Sequence, residues 1–97
     1  MIVNRITMVV KKGCRNELIE LIKGEVAKSD EAADRVRLSW PTMGPQDLLI
    51  YERTFENLTE LDAFWTEWNA LPATPEFWNK YNGLTESGGS QEVYLVV

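Results

Sequence analysis

VRLSWPTMGPQDLLIYERTF, spanning Val36 to Phe55, decides the fold. Val36, Leu38 and Trp40 alternate with Arg35, Arg37 and Ser39, the period-two pattern of a strand running to Pro41. Pro41-Thr42-Met43-Gly44-Pro45 then supplies turn residues, and a second strand returns from Leu48 to Phe55. So short a connection makes the two strands an antiparallel hairpin.

Outward from the hairpin, each flank carries a helix and then a strand. On the N-terminal side, Leu18, Ile19, Leu21, Ile22 and Val26 recur at helical spacing after the break Lys11-Lys12-Gly13, and the helix is expected to end near Ser29 or Asp30. Before it, Ile2 to Val10 alternates, with Ile2, Asn4, Ile6, Met8 and Val10 on one face and Val3, Arg5, Thr7 and Val9 on the other. On the C-terminal side, Asn57 can cap a helix, with Glu60 completing a capping box. Leu58, Leu61, Phe64, Trp65, Trp68 and Leu71 follow at helical spacing. Pro72 stops this helix, and Thr74-Pro75 restarts one with a capping residue followed by proline at the first helical position, carrying Phe77, Trp78 and Tyr81 to Gly83. A loop from Leu84 to Ser90, containing Gly88-Gly89, leads to a last strand, Glu92 to Val97, apolar on both faces.

The order βαββαβ is the ferredoxin-like α+β plan: a four-stranded antiparallel sheet with helices on one face. The 97 residues make one domain, 1–97. Alternate residues on the other sheet face include several apolar ones, so two sheets are expected to pair face to face in a homodimer. Arg5, Arg35 and Arg37 are expected on strand faces opposite the apolar sets, pairing with Glu52, Glu92 or the partner subunit.

Composition excludes several functions. Hydrophobic residues are 44% and charged residues 26%, as in an ordinary globular domain. No apolar run is long enough for a membrane helix, and MIVNRITMVV has neither the basic start nor the cleavage site of a signal peptide, so a cytoplasmic protein is expected. A net charge of −5 has the wrong sign for nucleic acid. The single cysteine, Cys14, and the lack of histidine remove zinc sites built on those residues and every histidine-based catalytic triad. No metal and no cofactor is expected.

The whole chain resembles the dimeric α+β barrel superfamily, whose small members include antibiotic-biosynthesis monooxygenases, haem-degrading monooxygenases and NIPSNAP-like proteins. The residues that carry the resemblance are Asn4-Arg5, Tyr51-Glu52-Arg53, the stretch Leu61-Asp62-Ala63-Phe64-Trp65-Thr66-Glu67-Trp68, and Thr74-Pro75-Glu76-Phe77-Trp78. The Leu61 to Trp68 stretch followed by Thr74 to Trp78 is the pattern most similar to NIPSNAP-like sequences. The resemblance implies a ligand site between helices and sheet, with Asn4, Tyr51, Arg53, Trp65, Trp68 and Tyr81 as candidate ligand-binding residues. Asn4 occupies a position like that of the ligand-contacting asparagine of the haem-degrading branch, and Trp65 or Trp68 a position like that of its tryptophan. Where that branch has an iron-binding histidine, this chain has Tyr81, which argues against haem degradation. An amide among Ile2, Ile6 and Met8 must bond something, and backbone, water and ligand all satisfy that demand. An aromatic stripe at helical spacing likewise serves as core or as ligand wall. Two functions therefore stay open: a binding protein for a small hydrophobic or aromatic molecule, and a cofactor-independent monooxygenase acting on a phenolic or polyketide-like substrate.

Overall fold

A computed structural model describes residues 1–28 and 34–97 of the chain. Strand β1 (Ile2–Val10) leads into helix α1 (Arg15–Val26), the hairpin β2 (Val36–Ser39) and β3 (Leu48–Phe55), helices α2 (Leu58–Ala70) and α3 (Thr74–Leu84), and the closing strand β4 (Thr85–Leu95). All pairings are antiparallel, in the order β2-β3-β1-β4. This is the ferredoxin-like α+β plan, its second crossover split into two helices.

The alternation in β1 sets the layers. Ile2, Asn4, Met8 and Val10 are buried beneath the helices, and Met8 and Val10 join Leu18 and Ile22 of α1 and Leu49 of β3 in the core. Leu18 and Leu49 are wholly buried. The opposite face holds a charged chain: Glu52 accepts from Arg5 (3.1 Å) and from Arg37 (3.3 Å), Arg5 lies 5.0 Å from the centroid of the Tyr94 ring, and the Tyr94 hydroxyl donates to Glu92 (2.7 Å). Arg5 and Arg37 thus occupy the expected face. Arg35 does not: it precedes β2 and pairs with Glu60 of α2 (2.5 Å).

Several local expectations change for physical reasons. β2 stops at Ser39 rather than Pro41, and the exposed Trp40 ring instead lies under the Arg15 guanidinium at 4.5 Å. Asn57 caps α2 by accepting from the Glu60 amide (2.9 Å), but the Glu60 carboxylate accepts from the amide of Glu56, one residue earlier than a capping box requires. Thr74 does not cap α3. It is the first residue of that helix, and its hydroxyl donates back to the Trp68 carbonyl (2.5 Å), tying α3 to the end of α2. The expected end of the first helix at Ser29 or Asp30 lies outside the described residues, and α1 runs to Val26.

The largest correction concerns Leu84 to Ser90. Leu84 closes α3, and from Thr85 the expected loop is strand, paired to β1 from Val10↔Thr85. Its register shifts between Thr7↔Ser90 and Val9↔Glu86, so a bulge replaces the loop. Gly88 and Gly89 form it with φ of +113° and +86°, backbone that other residues rarely adopt.

Candidate functional site

Alternation along β3 turns Leu49, Tyr51, Arg53 and Phe55 toward the helices, which puts a cation on an otherwise apolar face. Above that face is a cleft of about 540 Å³, within the range of small-molecule sites. Ile6 and Met8 of β1 with Tyr51, Arg53 and Phe55 of β3 make its floor. Ile22, Glu25 and Val26 of α1 form one wall; Phe64, Trp65 and Trp68 of α2 and Phe77, Trp78 and Tyr81 of α3 form the other.

The aromatic wall is continuous. Phe64, Trp65, Trp68 and Phe77 follow one another edge to face at centroid distances of 5.1, 5.8 and 5.1 Å, and Trp78 meets Trp68 at 5.4 Å and Tyr81 at 5.1 Å. These are the geometries the ring quadrupoles favour. The break between α2 and α3 lets two short helices lay their rings along one line, which a single straight helix with 3.6 residues per turn would spread around its axis.

Five of the six residues singled out from the sequence, Tyr51, Arg53, Trp65, Trp68 and Tyr81, line this cleft together. Asn4 does not reach the lining. It is fully buried in β1 directly across from Arg53, and its Oδ1 accepts from Gln91 Nε2 of β4 (3.2 Å) while its Nδ2 has no partner. The α1 wall was missed as part of a site, although Ile22 and Val26 belong to the helical stripe seen in the sequence. Nothing in the sequence linked that stripe to residues of β3.

Electrostatics limit the chemistry. Burial raises the Tyr51 phenol above its ordinary 10.0, with the nearby Arg53 charge and hydrogen bonding pulling the other way, and burial alone raises Tyr81. Glu60 is held below its ordinary range, first by the Glu56 amide and then by Arg35. All three move away from neutrality, whereas a general base works best with a pKa near the working pH.

No family model matches the chain, and no curated protein matches it in sequence. Solved structures do match. A NIPSNAP family protein from Agrobacterium tumefaciens superposes with a TM-score of 0.83 at 14% identity over 99% of this chain and 92% of the other. The fold is that of NIPSNAP-type proteins. A NIPSNAP-like domain protein from Burkholderia xenovorans gives 0.83 at 16% identity over 99% and 84% of the two chains. A putative antibiotic biosynthesis monooxygenase from Chloroflexus aurantiacus gives 0.70 at 14% identity over 99% and 92%. The NIPSNAP-type fold thus extends to monooxygenase-like neighbours, and at these identities the likeness concerns architecture, while function has to be argued from the cleft itself. Among the described residues no helix is long and apolar enough to cross a membrane.

Proposed function

We propose that the chain is a binding protein for a small hydrophobic or aromatic molecule, held between the sheet and the helices with Tyr51, Arg53, Trp65, Trp68 and Tyr81 around it. The observation that carries this reading is the 540 Å³ cleft walled by six aromatic rings, space that a close-packed interior would otherwise fill. The monooxygenase reading needs a group to orient or deprotonate a phenol; Arg53 could orient one, but Tyr51 and Tyr81, both raised by burial, are poor bases, and this supports binding over chemistry. N-phenyl-1-naphthylamine, a neutral probe that brightens in apolar surroundings, is expected to bind saturably at one site per chain and to quench tryptophan emission. No saturable binding would refute the reading.

We also propose that two copies pair through the sheet face opposite the helices. That face alternates half-buried Val3, Val9, Leu48 and Ile50 with two cations, Arg5 and Arg37, and two anions, Glu52 and Glu92. Such a mixed surface can complement itself across a two-fold axis. The same contact would shelter the end of β4, where Tyr94 and Val96 are each more than two-fifths exposed. Sedimentation equilibrium should give twice the 11.1 kDa chain mass, and Val9→Glu should return it to the monomer value. A monomer mass for the parent chain at micromolar concentration would end this proposal.

A further inference from the structure

Arg53 carries a charge into the floor of the cleft with no carboxylate paired to it: the Tyr51 side chain shares a hydrogen bond with it, and Glu60 acts on it only through space. Its side chain is nine-tenths buried at 8% exposure, its guanidinium lies 4.0 Å from the centroid of the Phe64 ring and 5.2 Å from that of Phe55, and its Nε has no hydrogen-bond partner. Among the described residues no carboxylate lies within 4.0 Å of it. The candidates are engaged elsewhere: Glu52 points to the opposite sheet face and holds Arg5 and Arg37, Glu60 holds Arg35 and the Glu56 amide, and Glu25 pairs with Lys28 (2.8 Å). Glu67, the remaining acid of the lining, is exposed to water. Stacking on Phe64 offsets part of the desolvation of a buried cation, and an anion offsets far more.

The neighbouring orphan atoms have the same polarity. Trp65 Nε1, whose ring lines the cleft edge to face with Phe64, is also buried without a partner, whereas Asn4 Nδ2, likewise unpartnered across from Arg53, lies behind the lining. Both orphan atoms of the lining are donors, so the group they suit is an acceptor. The overall charge of −5 disfavours an anion at long range, but in a desolvated cleft the nearest charge dominates.

Resting on the binding role proposed above, we infer that the ligand is a flat hydrophobic acid whose carboxylate pairs with Arg53 while its ring system lies along Trp65, Trp68 and Tyr81. The guanidinium fork matches a carboxylate with two parallel hydrogen bonds.

The test compares 2-naphthoate with 2-naphthamide, which share a ring system and differ in charge, by titration calorimetry on the full chain. The acid should bind the parent protein roughly tenfold or more tightly than the amide, the worth of one charge-assisted hydrogen bond. In Arg53→Gln that preference should vanish, the acid losing roughly tenfold or more affinity beyond whatever the amide loses. Equal affinities for acid and amide in the parent, a comparison that needs no variant to fold, would overturn the inference and leave the binding role standing. A preference for the acid that survives in Arg53→Gln would overturn it too, since the anion would then be read elsewhere. Failure of both compounds while N-phenyl-1-naphthylamine binds overturns only the acid; failure of all three overturns the binding role with it.

Discussion

Gly89→Ala is expected to cost the chain a large part of its stability. A Cβ at Gly89 would lie 2.1 Å from the Thr7 carbonyl oxygen and 3.2 Å from the Thr7 carbonyl carbon, and both are backbone atoms of the neighbouring strand. Backbone cannot turn aside as a side chain can, so β4 would have to leave β1 or carry the overlap. Alanine at φ of +86° adds conformational strain of about 1–3 kcal/mol before any overlap is counted. Against a total stability of about 5–15 kcal/mol, that combination should lower the melting temperature by roughly 10 °C or more. Gly88→Ala provides the comparison. Its Cβ would meet Val9 Cγ2 at 3.5 Å, an ordinary contact, so only the strain of φ +113° remains and a smaller loss is expected. Thermal melts followed by circular dichroism measure both. Equal losses would mean that the overlap with Thr7 is not what makes Gly89 necessary.

That bulge also shows where sequence reading stops. Strand β1 was legible because its alternation is local: nine residues decide which five face the helices. Gly88-Gly89 has the composition of a turn, and only the approach of Thr7, more than eighty residues earlier, shows that the pair lies within a strand. The same division runs through the site. Tyr51 and Arg53 share an alternation with Leu49 and Phe55, so their common face could be read from β3 alone. The bond from Gln91 to Asn4 spans 87 residues and could not be. Arg35 shows a third case, in which the strand begins one residue later than its alternation suggests, freeing the side chain to reach Glu60 of α2.

Truncation at Trp68 should damage fold and cleft together. Its ring meets Trp65, Phe77 and Trp78 at 5.8, 5.1 and 5.4 Å, and its carbonyl accepts from the Leu71 amide (3.2 Å) and the Thr74 hydroxyl (2.5 Å). Trp68 is therefore a seam between α2 and α3, whose chain connection is interrupted at Pro72. The backbone bonds survive substitution and the ring contacts do not. Full truncation of a core tryptophan costs about 3–5 kcal/mol. For this half-buried ring, about 2–4 kcal/mol follows, with the three edge contacts included at about 0.5–1.5 kcal/mol each. Trp68→Ala should thus melt roughly 10–25 °C lower than the parent. It should also bind N-phenyl-1-naphthylamine about tenfold more weakly, since roughly 1.4 kcal/mol of wall contact is lost. Trp68→Phe keeps a ring on the seam and should recover much of the melting temperature, while the smaller face recovers less of the affinity. Stability and binding would then separate in one pair of variants. If Trp68→Ala melts lower but binds the probe as the parent does, the ring only joins the helices, and the ligand lies against Trp78 and Tyr81 instead.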